Sequence, residues 1–292
     1  MIYALQGDRY WLDALEKETG PERLRVHSVF KHAINLQDAN SGKLYTLVSR
    51  AILPAPATIR LSCRKMSELA FDKDTVLVCA RDRLLWNRAE ITLENVSFWQ
   101  CELPVYRPFR HHTVIDMIDR LLADNGSAAP SGAIIQAVEH TLSQRYEAFL
   151  QGWRQGDERA MQDSVRRCIG CGVGLTPSGD DMLIGLLAVL ALPQNPNYHI
   201  FTLLAQQLED SAGQTTDVSR AALLHARDGR FNQALTACLQ MFFLEDKIVL
   251  RNSLKTLLSL GATSGMDMLK GMKTGLIMLT EREKHYAGQS CY

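Results

Sequence analysis

The sequence predicts an α+β protein, with a β-rich N-terminal domain over residues 1–108 followed by an all-helical domain over residues 109–292. Three observations lead there. Short β-branched and aliphatic segments, punctuated by turn residues, fill residues 24–103. A proline-bounded stretch then runs from Pro104 to Pro108, and from about His112 the apolar spacing lengthens to a helical period. A chain of 292 residues, 46% hydrophobic and 22% charged, has enough apolar material for two cores.

The expected strands include Leu44–Val48, Thr58–Leu61, Thr75–Cys79 and Glu90–Leu93. Turns are expected at Asn40-Ser41-Gly42, Pro54, Pro56 and Asp72-Lys73-Asp74. Too few residues separate these segments for parallel pairing with helical crossovers to be expected. The clearest helix covers 131–153, with Ser131 as N-cap. There Ile134, Ile135, Val138, Leu142, Tyr146, Phe149, Leu150 and Trp153 form one stripe. Further helices are expected near 158–168, 181–192, 198–210, 216–227, 231–242, 245–260 and 266–281.

Lys plus Arg and Asp plus Glu number 32 each, which gives no electrostatic reason to expect nucleic acid or an anionic membrane surface. Asp8, Asp13 and Glu16 interrupt the place where a secretory segment would be apolar. The longest strongly apolar run, Met182 to Leu192, has 11 residues against the roughly 20 that a spanning helix needs. Seven scattered cysteines fit reduced thiols and a cytoplasmic location better than a disulfide framework.

Residues 170–185 read G-C-G-V-G-L-T-P-S-G-D-D-M-L-I-G. The alternate glycines Gly170, Gly172 and Gly174 open backbone angles closed to other residues and let a ligand approach the main chain. The segment then starts a helix, whose free amides and positive dipole end favour an oxyanion. Asp180 and Asp181 beside such an anion make sense if Mg2+ bridges carboxylate and ligand oxygens. No Lys follows the last glycine, so this is not a P-loop. The simpler account is a capping box, Ser178-x-x-Asp181, with Pro177 ahead of it.

Residues 263–271, T-S-G-M-D-M-L-K-G, echo this segment. Ser178, Gly179, Asp181 and Gly185 match Ser264, Gly265, Asp267 and Gly271. Two readings follow. In one, the two helix starts converge on a single ligand site. In the other, both are capped core helices, as the all-round apolarity of Met182–Leu192 suggests.

Other candidates have simpler accounts beside the functional ones. Cys168-x-x-Cys171 lacks the further ligands of a zinc site and the βαβ context of a redox motif. Thr215, Thr216 and Ser219 open a helix, as caps or as pocket lining. His111 and His112 beside Arg107 and Arg110 form a basic cluster, read as an anion site or a solvated linker. Asn35 follows a β-segment, where it hydrogen-bonds a ligand or stabilises a turn.

At four places the sequence resembles the bacterial family related to the AllH subunit of oxamate carbamoyltransferase. These are Ala33-Ile34-Asn35-Leu36, the G-x-G-x-G-L-T-P-S-x-D-D run from Gly170 to Asp181, Thr215-Thr216-x-Val218-Ser219 with Leu223, Ala226, Gly229 and Phe231, and G-x-T-S-G-x-D from Gly261 to Asp267. Ala262 stands where the family pattern carries a His. The resemblance implies a subunit of a multi-component system that interconverts oxalurate plus phosphate with oxamate plus carbamoyl phosphate in purine or allantoin nitrogen use. Its partners would be FdrA-like and AllG-like proteins.

Oxyanion substrates of this kind suit glycine-rich amides and helix starts. The substrate-binding set expected on these grounds is Asn35, Gly172, Gly174, Thr176, Ser178, Gly179, Thr216, Ser219, Thr263, Ser264, Gly265 and Asp267. Asp180 and Asp181 are the expected catalytic and Mg2+-binding residues, as metal ligand or general base in either assignment. The alternative is a non-catalytic binding or scaffold subunit whose partners carry the chemistry.

Overall fold

A computed structural model describes residues 2–73, 75–87, 89–126, 132–209, 211 and 213–289. The chain divides into two compact units, Met1–Cys101 and Glu102–Tyr292. The first carries the strands and the second is helical, the α+β arrangement expected.

The first unit runs β1 (Ala4–Asp8), α1 (Arg9–Glu16), β2 (Arg23–Val29), β3 (Ala33–Asp38), β4 (Leu44–Val48), β5 (Thr58–Leu61), β6 (Val76–Cys79), β7 (Arg83–Trp86), β8 (Ala89–Thr92) and β9 (Ser97–Trp99). These strands form one sheet in the order β8-β7-β6-β2-β3-β4-β5-β1-β9. Tyr3, just ahead of β1, bridges Thr92 of β8, so the sheet curls toward its own far side. Leu24, Val26, Ile34, Leu36, Leu47, Ile59, Leu61, Leu77, Leu84 and Ile91 alternate inward to make the core, as period-two side chains on a half-buried sheet must. Helix α1, too short for its period to stand out in the sequence, adds Trp11, Leu12 and Leu15.

Two parallel pairs do occur, β4 with β5 and β1 with β9, and β4 reaches β5 without the helical crossover that the spacing disfavours. A five-residue strand is only about 17 Å long, so the connection from Val48 to Thr58 can double back without a helix. The β1–β9 pair joins the two ends of the unit, where loop length sets no limit. Asn35 lies within β3, not after a strand. Its amide nitrogen donates to Ser28 Oγ (2.9 Å) and its oxygen accepts from Thr46 Oγ1 (2.9 Å). Both ends of the side chain expected at a ligand are thus used to tie neighbouring strands.

The second unit contains α2 (His111–Gly126), α3 (Ala133–Gln155), α4 (Glu158–Cys168), α5 (Ser178–Leu190), α6 (Tyr198–Gln207), α7 (Asp217–Arg227), α8 (Gln233–Met241), α9 (Lys247–Leu258) and α10 (Ser264–Gln289). Ser131, the expected cap of α3, lies outside the described residues; Gly132 occupies the N-cap position. Every residue of α5 from Gly179 to Leu190 is buried, which explains its all-round apolarity. Helix α10 packs along it at glycine contacts. A Cβ on Gly185 would lie 2.8 Å from the Met268 carbonyl carbon, and one on Gly271 would lie 2.7 Å from that of Met182. Met182 and Met268 are themselves the matching positions of the repeat, so the two helices cross about an approximate two-fold axis. Among the described residues no helix is long and apolar enough to cross a membrane.

Candidate functional site

Both repeat segments follow one local plan: a helix ends, a short loop turns back, and a Ser-Gly-x-Asp helix begins. The close turn needs glycine. A Cβ on Gly179 would collide with the Cys168 carbonyl at the end of α4, and one on Gly265 with the Leu257 carbonyl at the end of α9. Gly172 likewise faces the Ser178 amide, 2.5 Å from where its Cβ would be, with φ +138°. Gly172, Gly179 and Gly265, expected at a ligand, therefore face the protein's own backbone. Gly174 differs: its φ is +94° and nothing lies within 4 Å of its Cβ direction. It alone of these four has the open face that the ligand-approach argument requires.

The two aspartates of α5 do different work. Asp180 Oδ1 accepts from the Gly170 amide (2.7 Å), and Oδ2 accepts from Ser219 Oγ (2.6 Å) and from the Thr215 hydroxyl. A fully buried carboxylate with both oxygens occupied is a clamp, holding the glycine loop to the start of α7. Thr216 caps α7 by accepting from the Ser219 amide (3.1 Å) and donates to the Leu175 carbonyl (2.5 Å). The Thr215–Ser219 segment thus caps its own helix and braces the loop.

Asp181 makes a crossed arrangement with the second motif. The hydroxyls of Ser264 and Thr176 lie against the Asp181 carboxyl and favour its charged form, while that of Ser178 does the same for Asp267. Thr176 Oγ1 and Ser264 Oγ lie 2.9 Å apart, closing the link between the two segments. So α5 lends its serine to the aspartate of α10, and α10 lends its serine to the aspartate of α5. No capping box forms: Ser178 is already in the first turn, and Pro177, the N-cap residue, makes no side-chain cap.

Each aspartate keeps one buried oxygen without a hydrogen-bond partner among the described residues, Asp181 Oδ2 and Asp267 Oδ2. The hydroxyl of buried Tyr146, on α3, is a third such atom. Burial pushes the Asp181 carboxyl up to about 7; its two hydroxyl neighbours oppose the rise, and the charges of Asp267 and Asp180 add to it. Burial raises Asp267 as well, opposed by the Lys270 ammonium, 3.2 Å from Oδ1, and by Ser178. Burial also holds the Tyr146 phenol far above its usual range, with Cys168, Asp267 and Asp180 contributing. Uncharged donors and acceptors at neutral pH are what this pocket of buried oxygens favours.

A cleft opens beside Asp267, bounded by Ile135, Val173, Ser178, Thr263, Asp267 and Lys270. Its volume, about 30 Å³, holds one or two waters. Above it, the amides of residues 172–176 and of Ser178 donate to no protein acceptor among the described residues. The amides of Gly179, Asp180 and Asp181 are taken by the carbonyls of Cys171 and Pro177. The amides without a protein acceptor therefore lie in the loop and at the first residue of α5, not further into the helix. Among the described residues no group of three His, Cys, Asp or Glu side chains is placed to hold a metal ion. Since hydroxyl and amide donors already fill Asp180, the pair Asp180–Asp181 does not fit the expected Mg2+ bridge. Cys168 is buried, its thiol pushed up to about 12 by burial, and is poorly suited to nucleophilic or redox use.

Two family models match the chain: the AllH family N-terminal domain over residues 3–98, and oxamate carbamoyltransferase subunit AllH over residues 168–276. The chain belongs to the AllH family. The second AllH match begins at the end of α4 and runs into α10, so it encloses the glycine loop, the Asp180 clamp and both crossed motifs. The family's name is that of a subunit of oxamate carbamoyltransferase. No solved structure matches.

Three residues of this AllH site escaped sequence reasoning: Tyr146, Lys270 and Glu139. Tyr146 read as one more apolar-stripe residue of α3. Lys270 had a local signal, its place three residues after Asp267 on one helix face. Its second partner, Glu139 at 3.1 Å, comes from α3 and has no sequence signature.

Proposed function

We propose that this chain is the oxyanion-binding subunit of an oxamate carbamoyltransferase complex, working with FdrA-like and AllG-like partners. The observation that carries the reading is the crossed pairing of the two Ser-Gly-x-Asp motifs. It leaves two buried carboxylate oxygens unpartnered beside a loop of amides with no protein acceptor. In this reading the loop amides of 172–176, Thr263 and Lys270 receive phosphate and carboxylate oxygens of the substrates. Asp181 and Asp267 act as an interacting pair that retains a proton near neutral pH, and Asp267, which borders the cleft, passes it on.

Phosphorolysis then balances simply. A phosphate oxygen attacks the ureido carbonyl of oxalurate, and the amides stabilise the tetrahedral oxyanion. The C–N bond to the oxalyl amide breaks, the leaving nitrogen takes the proton of the carboxyl pair, and oxamate departs. The proton released from hydrogen phosphate restores the pair. The reverse reaction uses the same groups as base.

The small cleft favours a site completed when the loop moves or a partner subunit docks. That same observation supports the second reading, a scaffold subunit whose partners hold the reacting atoms. The deciding assay is oxalurate phosphorolysis by the complex reconstituted with both partners. Asp267→Asn is expected to lower kcat by about 100-fold or more, the range for loss of a positioned acid–base group. Full activity in an assembled complex carrying that variant would leave the scaffold reading standing. Mg2+ enters as a variable: a strict requirement that disappears in Asp181→Asn would assign the metal to that carboxylate.

A further inference from the structure

The basic cluster at the start of the helical unit is not a solvated linker. His111 is buried, with its Nδ1 3.2 Å from Glu283 and its ring 4.3 Å from that of Phe109. Phe109 stacks on Phe242 (5.5 Å, 29°) and meets Phe243 edge-on (5.2 Å, 76°). This aromatic block walls a cavity of about 660 Å³, bounded also by Arg107, Arg110, Leu244, Glu245, Lys247 and Glu283. That is the size of small-molecule sites, roughly 300–1,000 Å³.

Two features of the cavity point to its ligand. The Arg107 and Arg110 guanidiniums and the Lys247 ammonium have no ion-pair or hydrogen-bond partner among the described residues, although each borders the same space. Two acids border it as well, Glu245 and Glu283, the latter held by His111 and by the Tyr106 hydroxyl (3.4 Å), so two carboxylates together stand against three cations. The first turns of α2 and α9 also face this space through Thr113, Val114, Lys247 and Leu250; the α2 dipole is positive there, while the start of α9 is already capped by the Asp246 carboxylate, which accepts from the Ile248 and Val249 amides. Beside these charges the half-buried rings of Phe109 and Phe243 and the half-exposed Leu244 offer an apolar surface that water covers poorly.

We propose that this cavity binds a ring-bearing organic phosphate, a nucleotide by class, with its phosphates on Arg107, Arg110 and Lys247 and its base against Phe109, Phe243 and Leu244. Nothing in the oxyanion site proposed above is shared with it. The test is equilibrium dialysis of ADP against the full chain, with adenosine and inorganic phosphate as competitors. The expected result is saturable ADP binding that weakens as salt rises and is at least about tenfold weaker in Arg107→Gln/Arg110→Gln, as loss of charge-assisted contacts implies. Both arginines are exposed, so the variant is expected to unfold at the wild-type temperature, which is measured alongside. Asp267→Asn is expected to bind ADP as wild type does, which separates this site from the other. Adenosine and phosphate are each expected to compete at least about tenfold less well than ADP, since each supplies half of the contacts. No ADP binding at millimolar concentration, unchanged affinity in the double variant, or phosphate competing as well as ADP would each overturn the proposal.

Discussion

Replacing Gly271 by Ala adds one methyl group at the tightest point of the α5–α10 crossing. Helix propensity alone predicts a gain, because Ala is favoured over Gly in a helix interior by about 1 kcal/mol. The crossing predicts the opposite. The new Cβ would lie 2.7 Å from the Met182 carbonyl carbon, closer still to its oxygen, and 2.9 Å from the Leu186 amide nitrogen. These are backbone atoms of a helix buried all round, so no side chain can swing aside. The helices must part, and overpacking of this kind costs about 1–3 kcal/mol. With a rigid obstacle the upper end applies, leaving a net loss of about 2 kcal/mol after the propensity gain. Gly185→Ala, against Met268, should behave alike, and the double variant should lose less than the sum because one separation relieves both contacts. Gly132→Ala is the control: nothing lies within 4 Å of its Cβ direction, and its expected loss is below about 1 kcal/mol, the cost of Ala at the N-cap of α3. Urea unfolding followed by far-ultraviolet circular dichroism reads all four. A stabilised Gly271→Ala would refute the close crossing on which the paired motifs depend.

Three further outcomes are expected. Asp180→Ala strands the Thr215 and Ser219 hydroxyls and the Gly170 amide; it should cost roughly 3 kcal/mol and speed proteolytic cleavage within residues 170–176, read by mass spectrometry. The Asp181 carboxyl, raised from 3.8 to about 7, binds its proton more tightly in the folded chain, so its contribution is fully present below about pH 4 and lost as pH rises toward 7. Asp181→Asn should therefore flatten the fall in stability across that window, and an unchanged pH profile of urea midpoints would count against a buried acid there. Lys270→Gln removes the cation beside Asp267; it should lower stability at neutral pH by about 1 kcal/mol, and the deficit should shrink in acid as Asp267 takes a proton.

Much of the fold was legible because its signals are local. Period-two segments placed β4 and β5, and helical stripes placed α3, α4 and α7, each from neighbours a few residues apart. The repeat of Ser178-Gly179-x-Asp181 in Ser264-Gly265-x-Asp267 was legible for the same reason, as identity at fixed spacing. Its use was not. That Thr176 meets Ser264, 88 residues onward, is decided by which helix faces pack together. The parallel β1–β9 pair and the Glu139–Lys270 contact escaped likewise, since both join distant segments. The alternate glycines do take the backbone angles closed to other residues, with φ of +70°, +138° and +94°, but their open faces differ. Gly170 and Gly172 admit the loop's own neighbours, while Gly174 faces open space.

The sequence by itself determined an α+β chain with two Ser-Gly-x-Asp helix starts, because periodicity and spacing act over a turn or two. Tertiary structure alone decided that Asp180 is a clamp and that Asp181 and Asp267 are a pair. Adjacent carboxylates on α5 point about 100° apart around the helix, so one meets the start of α7 and the other the start of α10, and that packing assigns their roles.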